Sequence, residues 1–143
     1  MSYTGNQCFE GIRSLPAKGA TAFVVGQFAM VKAGYMIPGQ VTTGAIVRGT
    51  TAQSLDTTGL ADGDAALCFN VGDAFGKTWD VPNSGADAVT QAQCGIGYCY
   101  VSGAYEVAGT DGGATRSIAG VPLKLKQNGT IVEIAILPLS VVP

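Results

Sequence analysis

The chain has 143 residues, 13% charged and 47% hydrophobic, with 21 glycines, no histidine and a formal charge of −2. That length suits one domain burying roughly 68–70% of its extended surface, and the small negative charge leaves no basic footprint for nucleic acid. Without histidine, Ser-His and Cys-His nucleophile pairs and the commonest metal ligand are excluded.

No apolar run approaches the ~18 residues that span a bilayer, and the start lacks the basic and apolar regions of a leader. The expectation is a protein made and kept in the cytoplasm, without a membrane. Cys8, Cys68, Cys94 and Cys99 have no CxxC spacing. In a reducing compartment they read as small buried apolar residues. A short Cys94–Cys99 bridge across Gly-Ile-Gly is conceivable but not indicated.

Residues 1–15 form an N-terminal arm of no sustained period, with Tyr3, Phe9, Ile12 and Leu15 scattered among polar residues. Such an arm is either a disordered terminus or an extended segment that orders on a partner. The domain proper is expected over 16–137, with a tail at 138–143.

Residues 21–25 and 28–32 are short runs rich in β-branched and aromatic side chains around Gly26-Gln27, which predicts a tight hairpin there. Residues 35–39 read as an edge or loop, because Pro38 cannot donate to a ladder. A strand follows at 44–48, then a long polar surface loop at 49–64. Leu67, Phe69 and Val71 alternate with Ala66, Cys68 and Asn70, predicting a half-buried strand, and another follows at 77–81 around Trp79. Residues 86–94 are predicted as one short helix of two turns at most, stopped by Gly95.

A second tight hairpin is expected from 98–101 and 105–108. The last is the strongest, because Asn128-Gly129 between apolar runs favours a type I′ turn. Counting outward pairs Lys126 with Ile131, Leu125 with Val132, Lys124 with Glu133, Leu123 with Ile134 and Val121 with Ile136. Val121, Leu123, Leu125, Val132, Ile134 and Ile136 then share one apolar face, and Lys124 meets Glu133 on the other. An uncharged apolar tail with two prolines should pack on its own domain or on a neighbour. The fold class is all-β, a compact β-barrel or β-sandwich of short strands with extended terminal segments.

Candidate chemistry is sparse. The aspartates sit mainly in Gly-rich turns, where their side chains cap local backbone. Asp62-Gly63-Asp64 lacks the further oxygen ligands and distal Glu of a calcium loop and reads as a turn. Residues 109–116 contain glycines and Arg116 but neither phosphate-loop pattern, so they read as a long hairpin connection. Trp79, Tyr98, Tyr100 and Tyr105 would make a carbohydrate platform if exposed on one face, though aromatics at strand positions more often fill a core. No catalytic residue, metal or cofactor is assigned, and the chain is not expected to be an enzyme.

The run NSGADAVTQAQCGIGYCYV at 83–101, followed by AYEVAGTDGGATRSIAGVPLKLKQNGTIVEI at 104–134, resembles the cement, or decoration, proteins of tailed bacteriophage capsids. Asp87 to Thr90, Gly95, Cys99 to Val101, Val107, Arg116-Ser117, Ala119-Gly120 and Val132 to Ile134 fall at matching places. Upstream, Gly44 to Val47, Asp56 and Gly63-Asp64 follow in order. VSGAY stands where that family has an acidic turn.

This resemblance implies a structural virion protein, often a homotrimer, on the outer capsid surface. There it stabilises the shell by clamping neighbouring major capsid subunits, and it performs no reaction. Tyr3, Phe9, Ile12 and Leu15 are the candidate capsid-contact residues, attaching by strand addition to a sheet edge. The alternative is a β-sandwich carbohydrate- or receptor-binding module.

Overall fold

Runs of β-branched and aromatic residues broken by glycine turns fold into short strands with almost no helix, as the computed structural model shows over its described residues, 11–73 and 76–138. The strands are β1 (Ile12–Pro16), β2 (Ala22–Phe23), β3 (Phe28–Lys32), β4 (Tyr35–Pro38), β5 (Ala45–Thr51) and β6 (Leu55–Asp56). They continue with β7 (Ala66–Val71), β8 (Trp79–Pro82), β9 (Cys99–Gly103), β10 (Glu106–Ala108), β11 (Ile118–Lys126) and β12 (Ile131–Ala135).

One curled open sheet follows the order β1-β7-β5-β11-β12-β8, with β3 and β4 branching from β5 and β9 and β10 from β11. Single bridges, Ala17 to Met36 and Asn83 to Val107, draw its curled ends together. β2 and β6 form a separate pair.

β11 holds the two halves together. Its first residues pair antiparallel with β9 and parallel with β5 through Ile118 and Ile46, while its remainder pairs with β12. The expected register holds near the turn, where Lys126, Leu125 and Lys124 face Ile131, Val132 and Glu133. It then slips, so that Pro122 faces Ile134 and Val121 faces Ala135.

Proline has no N–H for the ladder, and a bulge absorbs the missing bond. Leu123 is thereby turned off the inner face and stands 38% exposed, while Val132, Ile134 and Ile136 remain buried. Lys124 and Glu133 are opposite as expected, yet the ion pair forms between Lys126 and Glu133 at 2.9 Å, with Asp80 also 2.9 Å from the same ammonium. At the tip, Gln127, Asn128 and Gly129 all have positive φ, so the loop comprises residues 127–130 rather than two residues.

Two other expectations change. Gly26-Gln27 does not close a hairpin: β2 pairs with β6, and β3 turns at Ala33-Gly34 to pair with β4. Ala33 and Gly34 both have positive φ, which matches strand twist, whereas only Gly26 does at the other site. Gly26 and Gln27 instead exchange backbone hydrogen bonds with Thr51. The polar stretch at 49–64 likewise contains the end of β5 and all of β6.

Residues 86–94 form no α-helix. A 3-10 turn at Gln91–Gln93 is their regular structure. Side chains capture the backbone first: Asn83 both accepts from Val89 N and donates to Val89 O, and Ser84 Oγ accepts from the Ala86 and Asp87 amides. Asp87 O accepts from Gly109 N. Such local and tertiary bonds compete with helical ones and fix Val89 in the core.

Two apolar clusters fill the curl. The larger gathers Phe28, Met30, Val47, Val101, Val132 and Ile134 among others. The smaller packs Phe23, Met36, Leu67 and Phe69, with Leu15 against them. Cys68 and Cys99 are buried and Cys94 is half-buried, and burial pushes the Cys99 thiol up to about 12. Phe69 is fully buried. Phe69→Ala should therefore cost about 3–5 kcal/mol in a urea titration, whereas Val41→Ala, at a half-exposed loop position, should leave the midpoint nearly unchanged.

Candidate functional site

Three surface features are set up by this topology: the outer edge of β1, an apolar cluster beside the β11 bulge, and the tied Gly-rich loop at 109–116.

β1 is the end strand of the sheet path and pairs on one side with β7, Ile12 to Asn70 through Pro16 to Ala66. Among the described residues its other side has no strand partner before Ala17, which bridges to Met36. Side chains alternate along a strand, so Ile12 and Leu15 point to opposite faces. Leu15 packs against the smaller core cluster, while Ile12 is half-buried on the other side. The candidate contacts Ile12 and Leu15 thus belong to a strand of the domain's own sheet, and Tyr3 and Phe9 lie outside the described residues.

The apolar cluster went unnoticed in the sequence. Gly95 N donates to Pro122 O at 2.7 Å, and Cys99 pairs with Gly120, so the segment 95–99 lies along the bulged part of β11. Ile96 is 83% exposed, Tyr98 40% and Leu123 38%. The bulge that ejects Leu123 from the core adds it to this surface. An alternation pattern alone assigned Leu123 to the inner face; only the proline at 122 signalled otherwise.

The Gly-rich loop is closed by charge. Arg116 Nη1 lies 2.6 Å from Asp87 Oδ2 and also donates to Thr110 O at 3.0 Å. Thr110 Oγ1 donates to the same carboxylate, and Asp111 O accepts from Thr115 N and Arg116 N. With its guanidinium engaged this way, the loop serves as a braced connection rather than a phosphate cradle.

The Thr110 hydroxyl first, and Arg116 second, hold the Asp87 carboxyl below its ordinary range. A carboxyl depressed in the folded state stabilises the fold above its unfolded pKa, about 4, and that contribution is lost as pH falls through the folded value. Asp87→Asn should be less stable than the parent at neutral pH. The gap in Tm should close as the pH is lowered below about 4. A gap that stays constant down to that range would contradict the role assigned to the carboxylate.

The aromatic residues do not make one platform. Trp79 donates its indole N–H to Gly72 O at 2.9 Å, and the Lys77 ammonium sits 4.1 Å over its ring. Tyr105 tilts against Phe28 with ring centroids 5.0 Å apart, and its hydroxyl donates to Asp80 O. Tyr98 and Tyr100 flank buried Cys99 along β9's approach, with Tyr100 half-buried.

Asp62 and Asp64 accept from the amides of Gly19 and Ala61, as turn aspartates do. Among the described residues no group of three or more His, Cys, Asp or Glu could hold a metal ion, and no helix is long and apolar enough to cross a membrane. Comparison with known proteins finds no matching family model, no matching curated protein and no matching solved structure.

Proposed function

We propose that this chain is a capsid cement, or decoration, protein, a structural component bound to the outer surface of a phage shell. It would stabilise the shell by clamping neighbouring major capsid subunits as a homotrimer. The carrying observation is the exposed apolar cluster of Ile96, Tyr98 and Leu123, presented by a braced β domain with few charges. An isoleucine 83% exposed, on a segment that runs along the bulged strand carrying exposed Leu123, is a surface suited to being covered.

The resemblance over 83–134 supports the same reading. Two of the positions carrying it, Asp87 and Arg116, are the pair that braces the Gly-rich loop. The side of β1 that has no strand partner among the described residues offers a second contact, through main-chain hydrogen bonds. Modest contacts summed over a trimer engaging several capsid subunits become strong through effective concentration. A ligand that binds only the assembled shell stabilises that state by mass action.

The test is co-expression with the major capsid protein from the same genome, followed by sedimentation of assembled shells. The expected result is pelleting at a fixed ratio at or below one copy per capsid subunit. Well-formed, expanded shells that sediment without this protein would refute the proposal.

A further inference from the structure

Between the β3–β4 hairpin and the turns at 18–21 and 60–64 lies a cavity of about 510 Å³. That volume is in the range of about 300–1,000 Å³ usual for small-molecule sites. Its wall includes Lys18, Lys32, Tyr35, Gln40, Thr42 and Asp62. None of its lining residues belongs to the apolar cluster of Ile96, Tyr98 and Leu123.

Its charges are unbalanced in an informative way. Lys18 and Asp62 form a loose pair at 3.7 Å, with side chains 53% and 43% exposed. Lys32 has no carboxylate partner among the described residues and donates to Thr42 Oγ1 at 2.7 Å, leaving two ammonium protons uncommitted by the contacts of its head group. The cavity therefore carries a surplus positive charge in a chain whose net charge is −2.

The backbone under these groups is fixed. Lys18 N donates to Met36 O, Gly19 N donates to Asp62 Oδ1 at 2.8 Å, and Gly63 N donates to Ala17 O. The ring of Tyr35 stands close over Gly63, half-buried, as one wall.

We infer that this cavity binds an acidic sugar unit, a pyranose bearing one carboxylate and neighbouring hydroxyls. The ammonium of Lys32 would receive the ligand carboxylate, with Lys18 nearby. Asp62 supplies an acceptor for ligand hydroxyls, and Gln40 and Thr42 supply mixed donors and acceptors. Tyr35 offers an apolar ring against a sugar face. Asp62 decides against a phosphate group as the ligand, since a fixed carboxylate repels a dianion but welcomes hydroxyl donors.

The experiment follows backbone amide signals of the full chain, labelled with nitrogen-15, during titration with glucuronate, glucose and inorganic phosphate. Glucuronate should move the signals of Gly34, Tyr35 and Gly63 and saturate in the millimolar range, with glucose weaker by about tenfold. Lys32→Gln, at an exposed position, should weaken glucuronate by about tenfold while leaving the remaining spectrum in place. Asp62→Asn, whose amide oxygen can still accept from Gly19 N, should weaken glucuronate and strengthen phosphate.

No shifts at these amides, equal response to glucose, or glucuronate binding untouched by Lys32→Gln would overturn the inference. Phosphate moving the same signals as strongly as glucuronate would replace it with a simple anion site. None of these outcomes depends on whether the chain sediments with shells.

Discussion

Gly49→Ala should abolish folding. A Cβ built at Gly49 would lie 1.7 Å from Asn70 O and 2.9 Å from Asn70 C, backbone atoms of the neighbouring strand β7 that cannot swing aside as a side-chain end can. Gly49 pairs with Ala29 on one side and Val71 on the other, at a point where the β3 register against β5 shifts. Relief would require parting β5 from β7 beside fully buried Phe69, Leu67 and Val47.

Losing that contact exposes two or more large core side chains, at about 1.5–3 kcal/mol each, comparable to the whole stability of a domain near 5–15 kcal/mol. The variant should be insoluble or lack a cooperative thermal transition by circular dichroism. Gly97→Ala is the matched control, since nothing lies within 4 Å of its Cβ and its φ is not left-handed; its Tm should be close to the parent's. A Gly49→Ala protein melting cooperatively near the parent Tm would mean that β5 and β7 are not held this closely.

Strand positions with strict alternation were legible in the sequence, and those whose partners are distant were not. β7 appears at 66–71 as expected, and the hairpin of β9 and β10 forms. The pairings Lys126 to Ile131 and Lys124 to Glu133 follow from the turn alone. The slip at Pro122 did not, because a bulge depends on which ladder bond a proline deletes and on what the ejected residue then touches.

Gly26-Gln27 reads as the hairpin turn in the sequence, but φ is positive at the second residue of Ala33-Gly34 and not at Gln27, and the chain turns at Ala33-Gly34 instead. The stretch at 86–94 had helical composition, but Asn83 and Ser84 lie before it and claim its amides. For the site, the resemblance singled out Asp87 and Arg116 without saying that they meet across a separation of 29 residues. Ile96, Tyr98 and Leu123 come from segments whose adjacency only the sheet reveals.

That adjacency carries the second large effect. Ile96→Asp combined with Leu123→Asp should remove the chain from sedimented shells. Neither side chain is in the core, so the domain should keep its far-UV spectrum and its Tm within a few degrees. At the proposed interface the change would be severe, since two carboxylates would be pressed against the apolar surface proposed to cover Ile96, and burying an unpaired charge is strongly unfavourable. In the proposed trimer the loss would be magnified, because every engaged subunit would be weakened at once and the effective-concentration advantage would collapse. Pelleting should fall by more than about tenfold at equal expression.

Ile12→Asp separates the two contacts. It alters the half-buried β1 side chain on the face opposite Leu15, without touching the smaller core that Leu15 helps to fill. If attachment runs through the apolar cluster, Ile12→Asp still pellets while the double variant does not. A double variant that pellets at the parent ratio, alongside an Ile12→Asp protein that stays in the supernatant, would move the contact to the β1 edge. Stabilisation of the shell gives an independent reading: parent protein should raise the temperature at which expanded shells release their contents, and the double variant, added at the same concentration, should not.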